Sequence, residues 1–327
     1  MILVLGGAGY IGCHAVKELL DKGYNILVLD DLSTGHLYLL DSRAIFVEGN
    51  VGDSALLENI FTRYKIEAVI HFAASCIVGE SVFNPLTYYE NNVINSFVLL
   101  KAMMKHNVKK IIFSSSCATY GLSEIILDEE SPTSPINPYG RSKLMVEQMI
   151  QDCFKTYGLD YIILRYFNVA GADFSGKLGE LHHPETHLIP NILMHLLGKS
   201  KHVSVFGNDF RTVDGTCVRD YIHVLDLVDA HILALQNLLT ASSIGRVYNV
   251  GTNKGYSVNQ IIKECERITQ KKANVVYERR REGDPPSLVA SAKKINEELG
   301  WIPKYSLEEM ILSAWQWHKA NQDGYKM

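Results

Sequence analysis

The feature that most constrains the fold is a glycine-rich turn at the start of the chain. Four apolar residues, 2–5 (ILVL), run directly into residues 6–12 (GGAGYIG), which read as G-x-G-x-x-G from Gly7 and as G-x-x-G-x-x-G from Gly6. Both spacings let a backbone pass tightly from a strand into a helix and approach a pyrophosphate at the helix N-terminus. Because an acid, Asp30, ends the second apolar run, as such a motif requires, we predict a dinucleotide-binding turn.

Asp30 also discriminates between the two nicotinamide dinucleotides. A carboxylate at the end of the second strand hydrogen-bonds the adenosine ribose and repels a 2′-phosphate, so NAD is favoured over NADP. Asn50 follows the third apolar run, where adenine is expected. It is interpreted either as a residue that contacts the adenine edge or as a simple turn-former.

Short apolar runs alternate with helical patterns through the first half of the chain. The helical patterns cover about 11–22, 54–64, 89–106 and 138–157, and the apolar runs that predict strands are residues 2–5, 25–30, 44–48, 68–73, 109–116 and 160–166. Continuous apolar strands separated by helices indicate an α/β protein with a parallel sheet covered on both faces. Right-handed crossovers then predict a Rossmann-like, doubly wound sheet.

The pattern changes after Asn168. Residues 170–186 are rich in glycine and polar residues and are expected to form a long loop. Beyond them, helices are predicted near 188–198, 223–239, 257–270 and 306–321, with strand-like runs at 203–206 and 247–251. We therefore predict an NAD-binding domain at 1–168 and a smaller mixed α/β substrate domain at 169–327, with some segments crossing back to the first domain.

Composition restricts the possible partners. The net charge is −4 without a Lys/Arg block, so we expect no nucleic-acid or membrane partner. No stretch approaches the roughly 20 apolar residues of a membrane span. The six cysteines are scattered without C-x-x-C or metal spacing, which predicts free thiols in a reducing cytoplasm and no metal site. The adjacent histidines 182 and 183 are expected to lie on a loop without binding metal.

A catalytic group is predicted in residues 136–149 (INPYGRSKLMVEQM), where Tyr139 and Lys143 stand one helical turn apart. A tyrosine with a pKa of about 10 is a poor base unless its phenolate is stabilised, and a lysine four residues on brings a positive charge to the same helix face. Ser116 ends a predicted parallel strand, at the edge of the sheet where ligands bind. It could hold a substrate hydroxyl. The three residues together predict oxidation of an alcohol beside a hydride acceptor.

These motifs resemble those of the extended short-chain dehydrogenase/reductase family and, within it, the UDP-glucose 4-epimerases. The resemblance covers nearly the whole chain. It rests on GGAGYIG, residues 71–74 (HFAA), 79–81 (GES), 88–93 (YYENNV), 114–116 (SSS), 138–143 (PYGRSK), 165–172 (RYFNVAGA), 207–227 (GNDFRTVDGTCVRDYIHVLDL) and 281–286 (REGDPP). The phrase GTCVRDYIHVLDL is long and specific for the epimerase group.

The resemblance implies a role for each matching position. Ser116, Tyr139 and Lys143 would be catalytic and would also contact the sugar or the cofactor. The expected cofactor-binding residues are Gly6, Gly9, Tyr10, Ile11, Gly12, Asp30, Asn50, Val51, Phe72, Ala73, Asn91, Tyr139, Lys143 and Tyr166. The expected substrate-binding residues are Ser116, Tyr139, Asn168, His187, Leu188, Arg219, Arg281 and Asp284. His187 is interpreted as a phosphate ligand or, alternatively, as a helix cap.

The implied activity is the interconversion of UDP-galactose and UDP-glucose by oxidation at C4, rotation of the 4-keto sugar and re-reduction by the same NAD. Asn50 and Cys76 depart from residues common in relatives, which leaves the strength of NAD retention open. Leu288 stands where a bulky aromatic would restrict the sugar pocket, so a UDP-GlcNAc/UDP-GalNAc epimerase or a dual-specificity epimerase is the alternative, beside a uronic acid epimerase.

Two further classes are disfavoured. Cys117 and Ala118 stand where sugar-nucleotide 4,6-dehydratases carry an Asp-Glu pair. A non-catalytic NAD-binding regulator would usually lack the tyrosine or the lysine, and both are present. A homodimer is expected, because relatives pair through the helices near 89–106 and 138–157. These helices carry the apolar residues Val93, Phe97, Leu100, Met145, Met149, Cys153 and Phe154.

Overall fold

A computed structural model describes residues 1–123 and 126–321 of the chain. In chain order, the strands are β1 (Ile2–Leu5), β2 (Ile26–Asp30), β3 (Ile45–Glu48), β4 (Ala68–His71), β5 (Lys110–Ser116), β6 (Asp160–Tyr166), β7 (Asn168–Ala170), β8 (Val203–Phe206), β9 (Val218–His223), β10 (Gly245–Val250), β11 (Gly255–Ser257), β12 (Val275–Glu278) and β13 (Ser287–Leu288). The α-helices are α1 (Tyr10–Asp21), α2 (Ser54–Arg63), α3 (Val78–Phe83), α4 (Pro85–Tyr88), α5 (Asn95–Lys105), α6 (Pro138–Tyr157), α7 (Leu188–Leu196), α8 (Val224–Thr240), α9 (Val258–Thr269), α10 (Lys293–Leu299) and α11 (Leu307–Ala320).

One parallel sheet of seven strands, in the order β10-β6-β5-β4-β1-β2-β3, forms the centre of the protein. The chain runs outward from β1 to β3 and then returns to β4 on the other side of β1. Strand order therefore reverses between β1 and β4, which is where open α/β sheets bind ligands. The predicted doubly wound, Rossmann-like sheet is confirmed.

Helices cover both faces of this sheet. Neighbouring residues of β1 belong to different cores, because successive side chains of a strand point to opposite faces. Val4 packs with the core beside α1 and α8, whereas Leu3 and Leu5 pack with the core beside α2, α5 and α6. All three side chains are fully buried. Burial on both faces explains why the strands are continuous apolar runs instead of alternating ones.

The second half of the chain builds a smaller unit and also returns to the first. Strand β9 pairs with β7, β11 and β13, while β8 pairs with β12. Helices α7, α9 and α11 pack together around a separate apolar core. Strand β10 lies beside β6 in the central sheet, and α8 packs on α1. The domain boundary near residue 168 stays a prediction.

The structure departs from the predicted elements in three ways, the first of which is that the short helices α3, α4 and α10 were not predicted. The helix expected over 89–106 begins with the π-helical turn Tyr89–Ile94, and α5 follows it. Strands β7, β9, β11, β12 and β13 have no counterpart among the predicted strands. Four of them are only two to four residues long, and such short strands depend on a partner strand that no local pattern reveals.

Two findings concern bulk properties of the chain. Within residues 1–123 and 126–321, every helix is too short or too polar to span a bilayer. All six cysteines are free thiols, and of these Cys76 is the exposed one. The prediction of unpaired thiols therefore agrees with the structure.

Candidate active site

A deep cavity of about 780 Å³ lies at the carboxyl edge of the central sheet, between the sheet and the smaller unit. It contains the residues that follow or end β1, β2, β4, β5 and β6, because the carboxyl ends of parallel strands meet at one edge. Every residue assigned a cofactor, substrate or catalytic role from the sequence lines this cavity: Gly6, Gly9, Tyr10, Ile11, Gly12, Asp30, Asn50, Val51, Phe72, Ala73, Asn91, Ser116, Tyr139, Lys143, Tyr166, Asn168, His187, Leu188, Arg219, Arg281 and Asp284.

The glycine turn fits a pyrophosphate. Gly6 has a positive φ of 73°, and a Cβ added to Gly12 would lie 2.1 Å from the Gly6 carbonyl oxygen. A side chain at either position would therefore displace backbone. Helix α1 begins after Gly9, and within the described part of the chain no side chain caps its first turn. Its first N–H groups are thus directed at the cavity, as anion binding at a helix N-terminus requires.

Asp30 ties this turn to β2. Its carboxylate accepts hydrogen bonds from the backbone N–H of Ala8 and of Leu32, both at 2.9 Å. Burial raises the pKa of this carboxyl, and the two N–H donors oppose that rise. Each oxygen keeps a lone pair for a further donor, so the geometry allows a ribose hydroxyl to bind there.

Asn50 forms its hydrogen bonds within the protein. Its amide oxygen accepts from the backbone N–H of Gly52 at 2.8 Å and from the side chain of Asn95 at 3.0 Å. Its amide nitrogen donates to Asp31 at 2.9 Å. These contacts are those of a turn-former, although the residue also lines the cavity. The contact with adenine stays a prediction.

The π-helical turn at 89–94 presents two asparagines, of which the sequence pointed to only one. Asn91 lines the cavity and donates to the Ser75 hydroxyl at 3.0 Å. Asn92, which sequence reasoning missed, is buried and donates to the Ser75 carbonyl at 3.0 Å and to the Ser142 hydroxyl at 2.9 Å. Asn92 therefore joins the loop after β4 to α6. A π-helical turn inserts an extra residue into a helix and so changes which side chains lie on each helix face; such turns are frequent at functional sites.

Helix α6 begins immediately before Tyr139, the predicted catalytic tyrosine. Asn137 is its N-cap and accepts from the Gly140 N–H at 2.8 Å, while Pro138 fills the first helical position. Tyr139 follows at once and is buried between α6 and the cavity, with its ring 6.4 Å from the ring of Tyr88. The Asn-Pro pair thus determines where the tyrosine enters the site.

Tyr139 is a neutral phenol in this environment. Burial is the largest cause that raises its pKa well above the ordinary value, and the neighbouring Tyr166 adds to the rise. A hydrogen bond with the Ser116 hydroxyl lowers it. Base catalysis by Tyr139 thus depends on additional positive charge in the occupied site.

Lys143 is the buried cation closest in sequence to Tyr139. Its amine donates to the Ser114 carbonyl at 2.8 Å and lies 4.9 Å above the Phe113 ring. Burial lowers its pKa from 10.5 to about 8, which the charge of Glu147 partly opposes. At neutral pH the amine keeps its proton, so a positive charge stands at the floor of the cavity.

A buried ion pair below the catalytic residues was not apparent from the sequence. Arg165 on β6 donates to the Glu147 carboxylate at 2.6 and 3.0 Å, and the Ser115 hydroxyl donates to the same carboxylate. Glu147 and Arg165 are 1% and 5% exposed. Because Glu147 lies one helical turn beyond Lys143, this network holds α6 against β5 and β6. The two residues are far apart in sequence, so no spacing rule would have revealed the pair.

Two arginines also line the cavity. Arg219 on β9 lies 3.7 Å from the Asp284 carboxylate, and Arg281 stacks on the Phe206 ring at 3.7 Å. Asn168 begins β7, which pairs with β9 beside Arg219. Arginine forks suit phosphate oxygens. The structure therefore brings the predicted phosphate ligands and the predicted catalytic residues into one cavity.

His187 lies at the start of α7, and its role as a phosphate ligand stays a prediction. His187 occupies the N-cap position of α7 without a side-chain capping bond, and its Nδ1 contacts the buried Glu180 carboxylate. His182 is also drawn into this contact, 3.4 Å from Glu180. His182 lies on a loop, as predicted, and its imidazole contacts carboxylates there.

Comparison with known proteins agrees with this arrangement. The model of the NAD dependent epimerase/dehydratase family matches residues 2–251. A UDP-glucose 4-epimerase of Halalkalibacterium halodurans is 51% identical over 99% of this chain and 97% of that protein. A solved UDP-glucose 4-epimerase of Bifidobacterium longum, in complex with NAD+ and UDP, has a TM-score of 0.95 at 40% identity and 99% coverage of both chains. A solved UDP-Glc/GlcNAc 4-epimerase of Campylobacter jejuni has a TM-score of 0.83 at 40% identity, covering 98% of this chain and 99% of that one.

The buried charge of Lys143 predicts a stability cost with a defined pH window. Below about pH 8 the amine is charged in both the folded and the unfolded state, so folding bears the full cost of burying the charge. Between about pH 8 and 10.5 the folded protein loses the proton before the unfolded chain does, and this cost falls to zero as the pH rises. We expect Lys143→Met to stabilise the nucleotide-free protein at pH 7, on the order of 2 kcal/mol after loss of the Ser114 hydrogen bond. The gain should vanish by pH 10.5.

Thermal unfolding between pH 7 and 10.5 measures this effect. Lys155→Met is the matched control, since Lys155 is an exposed residue of the same helix. A difference from the parent protein that stays constant over this pH range would contradict the expectation.

Proposed function

We propose, from the premise that the chain belongs to the NAD dependent epimerase/dehydratase family, that it interconverts UDP-galactose and UDP-glucose. It is an isomerase that depends on NAD. The observation that carries this proposal is the shared cavity, which joins a dinucleotide turn, a Ser-Tyr-Lys group and an arginine pair. The likeness to UDP-glucose 4-epimerases over the full chain supports it.

The cofactor end of the cavity belongs to the first half of the chain. We assign the pyrophosphate to the N–H groups of the turn at 6–12 and the adenosine ribose to Asp30. Asn91 and Tyr166 flank the nicotinamide position. When bound, NAD supplies the hydride acceptor for C4 of the sugar and later returns the same hydride. No hydride is consumed overall, so the nucleotide acts as a resident group.

The proton of the sugar 4-hydroxyl is moved by the residues of α6 and β5. Ser116 would hold the hydroxyl, since it ends β5 and lines the cavity with Tyr139. Tyr139 would take the proton as C4 is oxidised and return it when the 4-keto sugar is reduced. The charge of Lys143 favours the phenolate that this transfer creates.

Inversion at C4 requires that the sugar turn while its nucleotide stays in place. Arg219 and Arg281 are assigned to the diphosphate, with Asn168 and Leu188 along its path and Asp284 at the uridine ribose. Two arginine forks can grip the phosphate oxygens without contacting the hexose. The keto sugar is therefore free to present its other face before the hydride returns.

A second substrate class is supported by one side chain. Leu288 is buried in β13, lines the cavity and packs with Cys117, Tyr120 and Phe167. A leucine leaves more room than an aromatic residue for an N-acetyl group. One structural neighbour is named for activity on both UDP-Glc and UDP-GlcNAc. Interconversion of UDP-GlcNAc and UDP-GalNAc is thus the alternative activity.

We also propose a homodimer that uses α5 and α6. Of the seven apolar residues from which the sequence predicted this surface, Phe97 and Met145 are exposed, whereas the others belong to or pack against the core. The apolar residues Phe83 and Leu86 of the adjoining α3 and α4 are 86% and 78% exposed. An apolar patch formed by four neighbouring helices suits an interface between subunits.

The cytoplasm is the proposed location. All six cysteines are free thiols, which suits a reducing compartment. The proposed partners are a UDP-sugar and a second subunit.

The activity is tested on the purified protein with no NAD added. We expect UDP-galactose to be converted to UDP-glucose, and denaturation to release NAD. Tyr139→Phe should lower kcat by about 10²–10⁴-fold, because it removes the proton acceptor. Tyr157→Phe, on the exposed end of the same helix, should act like the parent protein. Activity that appears only when NAD is added would indicate weak retention, and an active Tyr139→Phe variant would contradict the proposed base.

The substrate class is tested with Leu288→Tyr. We expect the ratio of kcat/KM for UDP-GlcNAc to that for UDP-galactose to fall by about tenfold or more, because the ring fills the space beside the sugar. Ile302→Tyr, at an exposed site outside the cavity, is the matched control. An unchanged ratio in Leu288→Tyr would remove this side chain as a determinant.

The homodimer is tested by sedimentation at micromolar concentration. We expect the mass of two chains for the parent protein and of one chain for Phe97→Asp, since burying a carboxylate in an apolar interface costs free energy. Ile302→Asp should remain dimeric. A parent protein that sediments as one chain would refute the interface.

A further inference from the structure

The loop between β7 and α7 gathers four side chains of the kinds that bind metal ions. Glu180, His182, Glu185 and His187 each direct one ligand atom to a common centre, and these atoms all lie within 4.8 Å of one another. Both imidazoles present Nδ1 to this centre. The role of this cluster does not follow from the proposed epimerase activity, which needs no metal.

Three distances within the cluster are close to the edges of a coordination polyhedron, whereas His187 Nδ1 and Glu180 Oε1 are in direct hydrogen-bond contact. His182 Nδ1 lies 3.4 Å from Glu180 Oε1 and 3.6 Å from Glu185 Oε2, and His187 Nδ1 lies 3.9 Å from Glu185 Oε1. Ligands bonded at 2.0–2.1 Å to a tetrahedral Zn²⁺ are about 3.3 Å apart. Entry of an ion would therefore separate His187 Nδ1 from Glu180 Oε1 and draw the other ligand atoms together.

Burial makes the charge of this cluster significant. The Glu180 and Glu185 side chains are 3% and 5% exposed. Two carboxylates at this depth need two positive charges close by. A divalent ion supplies both charges while the imidazoles of His182 and His187 stay neutral, which is the form in which histidine binds metals.

The surrounding contacts hold the ligands in place. Glu185 Oε1 accepts from the backbone N–H groups of Thr186 and His187 at 2.8 and 2.9 Å, which orients that carboxylate. The backbone carbonyl of Leu181 lies 3.1 Å from His36 Nε2, beyond α1. Outer contacts of this kind orient metal ligands and raise affinity.

We propose that Glu180, His182, Glu185 and His187 form a binding site for a divalent transition-metal ion, with Zn²⁺ the best fit. Four protein ligands close the coordination sphere, so the site is structural and does not activate water. His182 and His187 also line the main cavity. The ion therefore fixes the wall of the cavity formed by the loop before α7.

Metal content tests the site independently of activity. The purified protein is stripped with a chelator, dialysed and titrated with ZnCl₂, and bound zinc is measured by elemental analysis. We expect one ion per chain and a rise in the thermal unfolding temperature. Co²⁺ should give the strong visible absorption of a four-coordinate site instead of the weak absorption of a six-coordinate one.

Variants locate the ion. His182→Gln and Glu180→Gln should each weaken Zn²⁺ binding by at least about tenfold, and neither should gain stability from Zn²⁺. His183→Gln is the matched control, since His183 is exposed, adjacent and outside the cluster. The proposal is overturned if the parent protein binds no Zn²⁺, if its Co²⁺ complex has a six-coordinate spectrum, or if the two variants bind as the parent does. The first two results stand even if a variant fails to fold.

Discussion

The close backbone contact between Gly6 and Gly12 is the constraint on which the cavity depends. A Cβ on Gly6 would lie 2.6 Å from the Ala73 nitrogen, and a Cβ on Gly12 would lie 2.1 Å from the Gly6 oxygen. Because no side chain intervenes, α1 starts directly at the end of β1 and the loop after β4 passes beside it. Asp30 then reaches across to the Ala8 N–H. The position of the dinucleotide end follows from these backbone contacts.

The catalytic end depends on how α6 is held. Asn137 and Pro138 start the helix, Asn92 contacts it through Ser142, and the Glu147–Arg165 pair joins it to β6. These contacts keep Tyr139 and Lys143 in place although both polar groups are buried. Burying Lys143 lowers the pKa of its amine and costs stability. The buried charge of Lys143 thus makes the site electrostatically unfavourable in the folded protein, as is common at functional sites.

Much of the fold and of the candidate site could be predicted from local sequence. The glycine turn, the apolar strand runs and the Tyr139–Lys143 spacing each lie within a short segment, so pattern and spacing were sufficient. The Glu147–Arg165 pair and the contacts of Asn92 join residues 18 and 50 positions apart, and no such pattern marks them. The apolar residues of α5 and α6 were also ambiguous: a helical stripe does not say which of its members face the core, and Leu100 proved to be buried while Phe97 is exposed.

The sequence by itself determined the class of fold and the cofactor type and predicted which side chains would react, because turn chemistry, strand hydrophobicity and helical spacing are local properties. Only the tertiary structure decided that Arg219, Asp284 and Leu288 line one cavity with the predicted catalytic residues, and that Glu180 and His182 meet Glu185 and His187. These meetings arise from strand pairing and from packing of the smaller unit on the sheet. Strand pairing and packing both depend on contacts between segments that are distant in sequence, so the pattern of one segment does not predict them.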